Sequence, residues 1–343
     1  MSSPSTHPPQ QTTPTSATTR PVRTLAAGHT GSVHVVKFNS PGSYVLSGGQ
    51  DRRVVLCNTD TGAFVKSYQL HAYEVLDIAI ARDSSMFASC GGDKTVYLWD
   101  AASGNTLRRF SGHMARVNSV AFNDPETVLA TASYDGSVRL WDLRSGTATR
   151  PIQVLSEARD SVSAVDIHEH IIASASVDGR LRVYDLRMGR LTTDTVAATG
   201  ADVTRPSAGT ATPLTSVMIS PDGDTALVGA LDSTARLVDL ESGSTLQAYV
   251  GHENRVFRMR AVLDADAGLV LAASEDASIC VWDLMAGQEP LSRIRINTSS
   301  EKSLARAPLA FDYHAMNPDS SAEVGTVAAC GSGGVIGIYH VIM

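Results

Sequence analysis

Charge is scarce in this chain, and positive charge scarcest. Only 18% of its 343 residues are charged, and 28 Lys and Arg against 35 Asp and Glu leave a net charge of −7. A chain this acidic is not a general binder of phosphate backbones; direct nucleic-acid contact would need a focused basic patch. Cysteine is sparse as well. Cys57, Cys90, Cys280 and Cys330 stand far apart, with no CxxC pair and no Cys/His metal spacing. They read as buried, reduced thiols of a cytosolic or nuclear protein, and no metal site is expected. No apolar run is long enough to span a membrane. Residues 1–20, MSSPSTHPPQQTTPTSATTR, hold almost no apolar mass and a single arginine. That composition suits a disordered tail and neither a signal nor a transit peptide.

The signatures of catalysis are missing too. The sequence has no GxxxxGK[ST], no GxSxG, no HExxH and no cysteine beside a plausible base. The GSGG at 331–334 opens no helix and does not suit a phosphate loop. No catalytic residue and no cofactor are therefore expected.

What the chain has is a repeat. GQDRRVVLCN, GGDKTVYLWD, SYDGSVRLWD, SVDGRLRVYD, ALDSTARLVD and SEDASICVWD each place an aspartate six residues before an aromatic or apolar anchor. The aspartates are Asp51, Asp93, Asp135, Asp178, Asp232 and Asp276, and the anchors Cys57, Trp99, Trp141, Tyr184, Val238 and Trp282. The first four anchors are 42, 42 and 43 residues apart, and the last two 44. The longer interval from Tyr184 to Val238 is assigned to an exposed loop over residues 190–212, rich in Thr, Ala, Gly and Pro. Histidines stand just before several Val-rich segments: His29, His71, His113 and His252.

A repeat of this period with these turns resembles the WD40 family, over residues 21–343. The resemblance implies an all-β fold: a seven-bladed WD40 β-propeller, each blade four strands, a to d. Six units are clear. The seventh, TVAACGSGGVIGIYHV at 326–341, has Gly333 for its aspartate, and its first strand is not evident in the polar stretch 296–312. An open ring would leave raw strand edges. The family closes its ring with the N-terminal strand, here PVRTLAA at 21–27. The resemblance also implies that His71, Ser89, Asp93 and Trp99, and His113, Thr131, Asp135 and Trp141, are structural tetrads rather than catalytic triads.

Two faces are then candidates for binding. On the top face, the positions flanking each first strand and turn aspartate include Glu74, Arg116, Asn118, Tyr134, Arg255 and Phe257, with His34, Gln50, Leu76, Leu231 and Glu275 nearby. Tyr and Arg are types enriched at interface hot spots. On the bottom face, Arg144 in WDLR and Arg187 in YDLR resemble the pattern by which WD40 substrate receptors dock onto cullin-4 ubiquitin ligases. Arg139, Arg182 and Arg236, two residues before their anchors, are expected to lay their stems on apolar surface with the heads in water. No convergent titratable groups are expected in the central channel.

Within WD40 proteins the runs YEVLD, GGDK, EARDSVSAV, SVDGRLRVYDLRMG and LDSTARLVDLESG are similar to the mitogen-activated protein kinase organizer family. EARD, at 157–160, replaces Gly-His at the head of its unit. That resemblance implies a monomeric, non-enzymatic protein–protein scaffold, nuclear and cytoplasmic. Its implied partners are splicing factors in a ribonucleoprotein assembly and MAP-kinase pathway proteins, with little direct nucleic-acid binding and no membrane.

Overall fold

The computed structural model describes residues 18–145, 150–196, 212–287, 289–296, 310–315, 323–330 and 333–342. They form 28 strands in seven four-stranded antiparallel sheets, with no helix among the described residues. Six blades are consecutive runs of chain, such as Val75–Ile80, Met86–Gly91, Thr95–Asp100 and Thr106–Ser111 for blade 2. The burial of each strand follows its place in the wedge. The a, b and c strands are buried on both faces, as in Val117–Phe122, while d strands such as Thr245–Val250 alternate toward water.

Seven separate apolar layers make the core, one at each junction between neighbouring blades. Phe110 and Trp141, for example, fill the layer between blades 2 and 3, and Phe311 and Val281 the layer between blades 6 and 7. Stability is therefore shared around the ring, and each blade needs both neighbours to bury its faces.

Hydrogen bonds also cross these junctions at the inner strands. The Asp77 carboxylate of blade 2 accepts from Ser119 Oγ at 2.7 Å and from the Val120 N–H at 3.2 Å. Asp166 of blade 4 accepts from the Ile219 N–H at 2.8 Å, and Asp312 of blade 7 from the Phe38 N–H at 2.9 Å. Ser216 does the same for the Ala261 N–H at 3.2 Å. Each bond ties one blade to the next.

The ring closes through the seventh blade. Its sheet orders Ala310–Ala315, Glu323–Cys330, Ile336–Ile342 and, outermost, the N-terminal strand Thr18–Leu25. Leu25 lies opposite Ile336 and Arg20 opposite His340. The closing strand thus starts before residue 21 and ends at Leu25, with a bulge between Pro21 and Arg23. The bulge and the edge position are where a strand tolerates proline.

One further expectation is corrected, and one open point is filled. The stretch 190–212 is not all loop: Arg190–Val196 forms the outer strand of blade 4, and residues 197–211 lie outside the described residues. The Thr-rich start of that stretch is strand-forming, which its polarity concealed. The first strand of blade 7 is Ala310–Ala315, overlapping the end of the polar stretch. The proposed tail falls mostly on residues 1–17, outside the described residues.

Candidate functional site: buried turn networks and two exposed faces

The His/Ser/Asp groupings are closed. In blade 2, His71 Nδ1 lies 2.9 Å from Asp93 and Nε2 2.8 Å from Ser89 Oγ, while the Trp99 indole N–H donates to the same Oγ at 2.9 Å. A neutral ring with its proton on Nδ1 satisfies every group: indole to hydroxyl, hydroxyl to Nε2, Nδ1–H to carboxylate. Blade 3 repeats the set with His113, Asp135, Thr131 and Trp141 at 3.0, 2.8 and 2.9 Å. Blade 1 holds His29, Ser47 and Asp51 the same way, without a tryptophan. Ser89 and Thr131 are fully buried. A hydroxyl with no access to a substrate, already accepting from an indole, is no nucleophile.

Blades 4 and 5 lack the head histidine, and arginine takes its place. Arg182, only 1% exposed, donates through Nη2 to Asp178 at 2.6 Å and through Nη1 to Ser176 Oγ at 2.7 Å. Arg236, also buried, donates to Asp232 in blade 5. This corrects the expectation that these heads reach water: a buried carboxylate requires a partner, and strand c supplies one where the blade's head does not. Only Arg139, whose blade keeps its histidine, is partly exposed, 3.8 Å from Asp135. EARD is explained by the same blade. Tyr184 O–H donates to Glu157 at 3.1 Å, and the Arg159 N–H to Asp178 at 3.1 Å.

Blade 6 keeps the histidine but not the network. Ala272 stands where blade 2 has Ser89, so the Trp282 indole donates to the Val250 carbonyl at 3.0 Å instead. Asp276 is bound by Ser278, with Arg293 3.7 Å away. His252 is buried edge-on to Trp282, and among the described residues its Nδ1 has no hydrogen-bond partner. Burial pushes its pKa down to about 4. A histidine that titrates lower in the folded than in the unfolded chain stabilises the fold above about pH 6.5. That contribution, about 3 kcal/mol, is lost as the pH falls toward 4. His252→Gln is expected to flatten the pH dependence of urea unfolding between pH 7 and 4.5. An unchanged slope refutes this assignment.

On the top face, Arg116 and Tyr134 come together. The guanidinium carbon sits 4.9 Å from the ring centroid, and both residues are exposed. Arg255 is exposed and Phe257 and Glu74 are half-buried. Asn118 is not a surface group. It is buried, and its amide donates to Ser161 Oγ at 3.1 Å and the Val162 carbonyl at 2.7 Å, fastening blade 3 to blade 4. Glu275 is likewise buried, accepting from the N–H groups of Arg255, Val256 and Phe257. On the bottom face, Arg144 and Arg187 are open to solvent, each folded back on its own turn aspartate at 3.3 and 3.2 Å.

The central channel corrects another expectation. Titratable groups do converge there: Lys37, Asp77, Asp166, Arg258, Arg260 and Asp312 line an upper cavity of 290 Å³ and a lower one of 240 Å³. These six are three acids and three bases, and Arg82, Asp124 and Glu126 also line the lower cavity. The carboxylates hold the inter-blade N–H groups described above, and Lys37 lies 3.5 Å from Asp312. Arg258 reaches across the upper cavity to the carbonyls of Asn118 and Thr215. Periodicity could not flag these residues, because only some blades carry them and at different heights.

The repeats match the WD domain, G-beta repeat family model at residues 19–58, 62–100, 104–142, 149–185 and 243–283, together more than half of the chain. The chain is 46% identical over 309 residues to the human WD repeat domain-containing protein 83, covering 90% of each protein. The chain belongs to the WD repeat domain-containing protein 83 family. Its zebrafish (Danio rerio) counterpart is 52% identical over 75% of this chain and 77% of its own length. An uncharacterized WD repeat-containing protein of Schizosaccharomyces pombe is 48% identical over 74% of this chain and 80% of its own. Membership of the WD repeat domain-containing protein 83 family gives the chain a protein-interaction scaffold as its general role. The family model passes over blade 5, which has Val238 in place of tryptophan and Arg236 in place of histidine.

Proposed function

We propose that this chain is a protein–protein scaffold of the pre-mRNA splicing machinery, acting as a monomeric propeller inside a large ribonucleoprotein assembly. We assign it to nucleus and cytoplasm, with a cytoplasmic pool organising MAP-kinase cascade components. What carries the reading is where the polar groups go. The tetrads, the buried arginines and the channel carboxylates all serve turns and junctions, while Arg116 stacked on Tyr134 is left facing solvent. The resemblance to the mitogen-activated protein kinase organizer family supports the two settings. The net charge of −7 supports protein rather than RNA as the direct contact.

The test is affinity purification of the tagged chain from nuclear and cytoplasmic extracts under nuclease, followed by mass spectrometry. Splicing factors are expected at stoichiometric levels in the nuclear fraction. Their absence overturns the splicing assignment. The exposed Arg144 and Arg187 favour one second reading, a substrate receptor of a cullin-4 ubiquitin ligase. Under it, reversing both charges abolishes recovery of the ligase adaptor and leaves the splicing factors unaffected.

A further inference from the structure

We propose that the top-face groove between blades 2 and 3 binds an acidic peptide segment of a partner protein, seated by one apolar side chain. The proposal rests on the scaffold reading above and gives it a partner chemistry.

The groove is a shallow, open depression lined by Lys94, Met114, Ala115, Arg116 and Tyr134. Two large apolar groups face water there, Met114 at 76% and Tyr134 at 55% exposure. Exposed side by side, they offer a soft, adaptable seat for an apolar residue. Two cations flank that seat, and no carboxylate among the described residues lines it. The neighbouring acids, Asp93 and Asp135, stay ionised but turn their side chains inward onto His71 and His113. Among the described residues no carboxylate lies within 4.0 Å of Lys94 or Arg116.

Lys94 and Arg116, with no carboxylate in ion-pair range among the described residues, form a focused positive site on a chain of net charge −7. The stack on Tyr134 holds the Arg116 guanidinium in place and leaves edge N–H groups for a carboxylate, the geometry of bidentate pairing. The apolar floor and single aromatic ring favour a peptide over RNA, which would need a run of stacking platforms. The occupant is not the chain's own N-terminus, since residues 1–17 contain no Asp or Glu.

Lys94 offers a clean probe. Its φ is +63°, the left-handed turn position that blades 3 and 4 fill with Gly136 and Gly179. Lys94→Gly therefore removes the cation and relieves the backbone together.

The full-length protein is titrated, by fluorescence anisotropy, with an array of short labelled peptides. Each carries one apolar residue flanked by Glu and Asp, and each has a Gln/Asn twin. Acidic probes are expected to bind about tenfold or more tightly than their amide twins, a gap of about 1.4 kcal/mol. Lys94→Gly and Arg116→Glu each weaken binding, while Lys94→Gly melts at or above the parent temperature. Arg116→Glu gains affinity for probes flanked by lysine. The proposal is overturned if no acidic probe binds, if acidic and amide probes bind alike, or if the variants bind as the parent does. It is also overturned if single-stranded RNA displaces the probe. Repeating the affinity purification with Lys94→Gly/Arg116→Glu separates the two readings. Unchanged partners leave the scaffold standing without this groove; no partners even for the parent chain sink the scaffold itself.

Discussion

Removal of residues 1–27 is expected to prevent a stable ring, whereas removal of residues 1–17 leaves the melting transition where it was. The strand Thr18–Leu25 pairs along its length with Ile336–Ile342, and Leu25 and Ala27 join the apolar layer between blades 7 and 1. Burial of Leu25 alone contributes about 1.5–3 kcal/mol. Each lost cross-strand hydrogen bond costs about 0.5–1.5 kcal/mol more. With about six such bonds, the loss is comparable to the whole stability of an ordinary domain, about 5–15 kcal/mol. The exposed edge of Ile336–Ile342 would then pair between molecules, so the truncated chain should aggregate. Circular dichroism melts of the two truncations, beside the full chain, decide the matter. Equal melting temperatures for all three would mean that the ring closes without this strand.

The ring itself was legible because its signal is repeated. Six aspartates at a fixed distance from an anchor specify six hairpins, and a ring with raw edges has to close. The histidine tetrads of blades 2 and 3 could be read because His71, Ser89, Asp93 and Trp99 recur at the same offsets in the next blade. What could not be read was whatever occurs once. Arg182 and Arg236 sit at the position of Arg139, yet their heads turn inward. The cause is the missing histidine some twenty-five residues upstream, a non-local fact. Asp77, Asp166 and Asp312 look like isolated charges in apolar strands until the next blade's N–H is placed beside them. Asn118 has the position of a surface residue and the contacts of an inter-blade bolt. The Arg116–Tyr134 contact joins two turns 18 residues apart, which only the d–a and b–c geometry brings together.

Replacing Arg182 with methionine is expected to cost about 3–5 kcal/mol in urea unfolding, the scale for stripping the partner from a buried charge. Methionine keeps most of the stem's volume, so the loss reports the guanidinium. Burial by itself would raise the Asp178 carboxyl; Arg182, Ser176 and the Arg159 N–H outweigh it and hold its pKa at about 2. Because that lies below the unfolded value of 3.8, the stabilisation is full above about pH 4 and is lost as the pH falls toward 2. The variant should lose that acid limb as well as the stability. Arg182→Lys should rescue little, since a point charge cannot bridge Asp178 and Ser176 as the fork does. Removing the carboxylate as well, in Arg182→Met with Asp178→Asn, should cost less than the sum of the single changes, because no orphaned charge remains. Arg187→Ala, five residues along the same arginine-rich stretch but open to solvent, should shift stability by no more than about 0.5 kcal/mol. A small loss for Arg182→Met, comparable to that of Arg187→Ala, would mean that the turn aspartate of blade 4 needs no counter-charge. The inward arginine would then be packing alone.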